Sequence, residues 1–146
     1  MTTTLFLHIS LVMLGLSLQQ SNPLNEYQWQ NRLILVFNDL DSEVQAQMQL
    51  DKFTGQTPEL QDRDLLIFRI DDSQVSDGLD SKVTDIEAAS LRKSFNIDIE
   101  EFVVLLIGKD GGVKLRSEEV VSSQELFALI DGMPMRRSEI RRKNGN

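Results

Sequence analysis

Cysteine is missing from this chain of 146 residues, and histidine occurs once, at His8. The first absence removes disulfides, thiolate nucleophiles and sulfur metal ligands together. The second removes the Ser-His and Cys-His pairs of hydrolytic mechanisms and the imidazole of zinc sites. What remains for acid–base work is Asp, Glu, Lys and Tyr27, which titrate near neutrality only when buried or crowded by charge. These absences argue against the familiar redox and hydrolytic mechanisms and leave a carboxylate enzyme open. No catalytic residue, metal site or cofactor is assigned.

Apolar runs long enough to span a bilayer are also missing. The longest, Leu5 to Leu18, covers about 14 residues, short for a span and suited to the core of a signal peptide. No Lys or Arg precedes it, so only the amino terminus supplies positive charge. Residues 1–21 are read as a signal peptide and 22–146 as the mature chain. The expected destination is periplasmic or extracellular, with no stable membrane insertion after cleavage. Net charge is −8, with the acid concentrated between Asp39 and Asp80 and a basic end at Arg136 to Lys143. An acidic body repels nucleic acid and anionic lipid, which confines any polyanion contact to the tail.

The pattern of the mature chain is that of a mixed α/β domain. Arg32 to Phe37 and Asp64 to Ile70 read as buried strands. Phe102 to Ile107 is a third, folded back through the turn Gly108 to Gly112 onto the alternating strand Val113 to Arg116. Ala46, Leu50 and Phe53, with Val44 and Met48, recur at helical spacing, and Gly55 and Pro58 end that helix. Thr84 and Glu87 form a capping box ahead of Leu91 and Phe95, and Ser122 and Glu125 form another ahead of Leu126, Leu129, Ile130 and Met133. Asn96 suits a left-handed helix stop, and Pro134 ends the last helix. Tyr27 and Trp29 are placed over one end of the core, and Asp71 to Lys82 is read as a polar loop. The order β-α-β-α-β-β-α gives a thioredoxin-like fold. It predicts a four-stranded mixed sheet with parallel crossovers, a late antiparallel hairpin and helices on both faces.

Candidate sites are few. A thioredoxin-type enzyme carries its reactive Cys after the first strand, where a helix N-terminus lowers the thiol pKa. Here Asn38 to Ser42 supplies caps instead. Asp71, Asp72, Asp77 and Asp80 fail the calcium-loop spacing, because Val75 falls where a ligand is needed. Gly108 to Gly112 opens no helix and reads as a turn rather than a phosphate cradle. The basic residues Lys109, Lys114, Arg116, Arg136, Arg137, Arg141 and Arg142 form the candidate binding set, for a protein or an acidic polymer. Asp131 is positioned to pair with Arg136 or Arg32 and pin the tail down.

Arg32-Leu-Ile-Leu-Val-Phe, Asp62-Arg-Asp-Leu, Leu91-Arg-x-x-Phe95, Leu106 to Arg116 and Glu125 to Arg137 together resemble the domain of unknown function 4174. Related domains occur in animal coiled-coil domain-containing protein 80 and the sushi-repeat-containing proteins. The resemblance covers about Gln30 to Arg142. It implies a thioredoxin-like fold distantly similar to peroxiredoxins, with no activity assigned to the bacterial members and animal relatives associated with matrix and adhesion. The family-like positions are Arg32, Asp64, Lys109, Asp110, Gly111, Lys114, Arg116, Asp131, Met133, Pro134, Met135, Arg136, Arg137 and Glu139. None is a redox nucleophile. The functional expectation is an exported, non-catalytic binding module, with a peroxiredoxin-related redox accessory or enzyme working without its own cysteine as the alternative.

Overall fold

A computed structural model describes residues 22–145; the expected signal peptide over 1–21 lies outside the described residues. The elements are β1 (Arg32–Phe37), α1 (Glu43–Asp51), α2 (Thr57–Asp62), β2 (Leu65–Ile70), β3 (Val75–Asp77), α3 (Ala88–Phe95), β4 (Val103–Ile107), β5 (Val113–Ser117), α4 (Ser123–Asp131) and α5 (Pro134–Asn144). Every residue of β1 and β4 is buried, as unbroken apolar runs in the middle of a two-faced sheet require. Alternation then sends Ile34 and Val36 to one face, against Ala46, Leu50, Phe53, Leu126 and Ile130. Leu33, Leu35 and Phe37 point to the other face, against Ala88 and Leu91 of α3.

The sheet has five strands, in the order β3-β2-β1-β4-β5, where four were expected. The addition is β3, three residues inside the segment read as a polar loop. It pairs antiparallel with β2 from Ile70↔Val75 to Phe68↔Asp77. β1 and β2 are parallel, as the intervening helices require, but β4 is antiparallel to β1 rather than parallel. The two departures have one cause. β3 reverses the chain before α3 begins, so the α3 crossover joins β3 to β4, which run in the same direction.

Two helix ends follow local chemistry. Ser122 accepts a hydrogen bond from the Glu125 N–H at 3.1 Å and caps α4, and Asn96 closes α3 at φ 52°. The Thr84 box does not cap α3. Its hydroxyl is donated to the Val75 carbonyl at 3.1 Å, beside β3, and the helix starts later with Glu87 as its N-cap. Pro134 ends nothing that continues; it occupies the first turn of α5, where its missing N–H costs no hydrogen bond. The basic tail is therefore a helix, and Arg136 is its one buried residue. At the other terminus Tyr27 packs on Phe68 with ring centroids 5.3 Å apart, whereas Trp29 is 63% exposed at φ 67° and covers nothing.

Candidate functional site

The loop after β1, where a thioredoxin-type enzyme would carry its reactive Cys, is closed on itself. Ser42 donates its N–H to Asp39 Oδ1 at 2.8 Å and its hydroxyl to the same oxygen, while the Asp39 N–H donates to Ser42 Oγ at 2.9 Å. These bonds, the side-chain one first, hold the Asp39 carboxyl below its ordinary pKa. Ser42 stands at the N-cap of α1 but bonds its side chain to Asp39, whose lowered pKa makes that carboxylate a weak base for activating the hydroxyl. Buried Asn38 accepts from Arg69 Nε at 3.0 Å and gives its own carbonyl to Arg92 Nη2 at 2.8 Å. Arg92, 7% exposed, is solvated by backbone carbonyls, with Asp98 O at 2.9 Å as another acceptor, and Asp72 and Asp39 balance its charge at a distance.

The opposite end of the sheet carries the densest charge. Arg32 opens β1 at 1% exposure and meets Glu139 of α5 through both terminal nitrogens, each at 3.2 Å, with a further bond to the Arg63 carbonyl at 2.9 Å. Lys109, leaving β4, bonds Glu139 at 2.9 Å and Asp64 at 2.8 Å. Arg136 bonds Asp131 at 3.1 Å and also pairs with Asp62. Arg63 joins Asp131 at 2.7 Å, and Lys143 joins Asp62. Asp131 thus takes Arg136 of the two partners anticipated for it, and Arg32 takes Glu139. Six charged positions carried by the family resemblance, Arg32, Asp64, Lys109, Asp131, Arg136 and Glu139, meet in this single cluster.

That convergence redistributes the candidate basic set. Lys109 and Arg136 are internal ties. Lys114 pairs with Asp110 at 2.7 Å, and Arg116 reaches Glu101 at 3.8 Å and the Phe95 carbonyl at 3.2 Å, away from α5. Arg137, Arg141 and Arg142 remain exposed on α5, with no carboxylate partner among the described residues; Arg141 donates to Ser138 Oγ at 2.9 Å. Asp71, Asp77 and Asp80 spend oxygens on nearby backbone N–H groups, as a turn does. Gly111, at φ +82°, makes the hairpin turn as expected.

The cluster sets a pH dependence. Burial alone would raise the Glu139 carboxyl, but the bonds from Arg32 and Lys109 outweigh it and hold the group low. Asp131 behaves alike, with Arg63 and Arg136 overcoming burial, and Asp62 is lowered by Lys143 and then Arg136. A carboxyl whose folded pKa lies below its unfolded value of about 4 stabilises above that value and loses the contribution as pH falls through the folded pKa. The midpoint of urea unfolding is expected to hold level above pH ~5 and fall below pH ~4. A level midpoint down to pH ~2 would contradict it.

Taken together, the sheet order and the helices on both faces define a thioredoxin-like fold. The chain superposes on the mitochondrial 2-Cys peroxiredoxin of Plasmodium falciparum with a TM-score of 0.51 and 15% identity, covering 82% of this chain and 81% of that one. It belongs to the family described as Domain of unknown function (DUF4174), whose model matches residues 23–139. Coiled-coil domain-containing protein 80 of Danio rerio is 30% identical over 135 residues, which is 82% of this chain and 16% of that protein.

Proposed function

We propose that the chain is an exported, non-catalytic binding module that contacts a protein or an acidic polymer through the exposed face of α5. One observation carries the non-catalytic part: the turn at the fold's reactive position is closed by Asp39 and Ser42, in a chain that has no cysteine. The apolar run Leu5 to Leu18, which reads as the core of a signal peptide, supports export. The contact face is assigned to Arg137 and Arg141, one turn apart on α5, and to Arg142 beside them, because the other basic candidates are tied to carboxylates or carbonyls. Trp29 lies at the same end of the sheet, its N–H bonded to the Lys109 carbonyl at 2.6 Å, and adds an exposed ring.

The test is retention on immobilised heparin. The wild-type chain is expected to bind at low salt. The triple variant Arg137→Ser/Arg141→Ser/Arg142→Ser should flow through at about 0.15 M salt, where charges are screened beyond about 8 Å. Equal retention of the two proteins would remove α5 from the reading. Arg136 stays unchanged in this experiment because it is buried, and replacing it would report on folding. Peroxide consumption with a thiol reductant should be nil, and a robust rate would return the redox reading.

A further inference from the structure

A groove of about 740 Å3 runs beside the Asp39–Ser42 turn, on the end of the sheet away from α5. Its walls are Leu40, 85% exposed, and Ile99, 54% exposed, and Phe102 forms part of its lining. Gln45 of α1 lines it too, and Val44 and Met48 of the same helix are exposed but do not line it. Neither loop nor helix gains from displaying these residues to water, since each burial stabilises by roughly 1.5–3 kcal/mol. Isolated exposed apolar residues are ordinary, but Leu40 and Ile99 face one groove over buried Phe102, which gives an apolar centre to a contact.

The charge around the groove is of one sign. Asp39, Asp41, Asp72 and Glu100 line it, and no Lys or Arg does among the described residues. Of the nearby cations, Arg69 is tied to Asn38 and Glu43, and Arg92 is buried on backbone carbonyls while its charge acts at a distance on Asp72 and Asp39. The four lining carboxylates outnumber that one buried guanidinium, so an acidic occupant would meet a net negative potential. An occupant with apolar residues at its centre and Lys or Arg at its flanks would meet complementary potential.

We infer that this groove docks a basic, amphipathic segment of a partner protein, its apolar side chains between Leu40 and Ile99 and its cations against Asp39, Asp41, Asp72 and Glu100. The surface is separate from the α5 face and opposite to it in charge, so its failure and the failure of the α5 reading are independent.

Isothermal titration of the full domain with a helical peptide of about 14 residues, Leu on one face and Lys on the other, tests it. Binding is expected with a Kd on the order of 10 μM. Leu40→Ser/Ile99→Ser should weaken it at least tenfold, and Asp41→Lys/Glu100→Lys by a similar factor. Glu26→Lys/Glu59→Lys, the same charge change made at exposed carboxylates outside the groove, should leave it within a factor of about two. The Leu and Ile positions are exposed, so circular dichroism should show both variants folded. Three results would overturn the proposal. One is equal weakening by both charge-reversal pairs with no effect of the serine pair. Another is equal binding of a peptide with Glu in place of Lys. The last is a wild-type dimer in sedimentation that Leu40→Ser/Ile99→Ser returns to monomer, which would make a second copy the occupant.

Discussion

Replacing Glu139 with alanine is expected to lower stability by about 3–5 kcal/mol, the cost of removing one member of a buried ion pair. The size follows from what the carboxylate holds. Arg32 is essentially inaccessible and its Nε already has no hydrogen-bond partner, so loss of Glu139 leaves only the Arg63 carbonyl to compensate a full positive charge. Lys109 would keep Asp64, which is half-exposed and therefore the weaker tie. Alanine is a better helix former than glutamate, so α5 itself is not the source of the loss. Urea unfolding reads the effect directly. A double variant that also replaces Arg32 by methionine should recover part of the stability, because the stranded charge goes with it. A change of under about 1 kcal/mol in the single variant would mean that water reaches Arg32 and solvates it.

Gln49→Leu is the other substitution with a large expected effect, about 2–5 kcal/mol. Gln49 is fully buried in α1 and pairs with the backbone of Val121 as a neighbouring strand would. Its Nε2 donates to the Val121 carbonyl at 3.0 Å, and its Oε1 accepts from the Val121 N–H at 2.7 Å. Leucine has nearly the same volume, so the cost is not a cavity. Two buried backbone groups lose their partners together. Since Val121 precedes the Ser122 cap, the start of α4 should loosen as well. Hydrogen exchange at the Val121 amide should rise along with the loss in urea midpoint. Unchanged exchange would show that another acceptor takes over.

Both residues illustrate what the sequence conceals. The strands β1, β2, β4 and β5 are legible because their apolar or alternating runs are long and bounded by turn residues. Three-residue β3 is not, for Val75-Ser76-Asp77 is too short to establish a period, and its omission alone produced the wrong direction for β4. In α1 the spacing treats Val44 and Met48 like Ala46 and Leu50, yet the first two are exposed and Gln49 is inside. A polar residue can be buried when a partner waits elsewhere in the chain, and here that partner is 72 residues away. The same limit applies at the site. Arg136 and Lys109 read as surface cations, but Asp62 and Glu139, 74 and 30 positions distant, take them inward. The Asp131–Arg136 pair, five residues apart, was within reach of local reasoning.

The sheet's two margins constrain how the domain can associate. β3 offers only three residues of ladder, and β5 displays Lys114 and Arg116 and is offset by an irregularity between Leu106 and Ile107. Short or charged borders of this kind resist the addition of a further strand, whether from a foreign peptide or from another molecule of the same protein. The proposed contacts accordingly use side chains on helices and loops, and the domain has little route to fibril-like stacking.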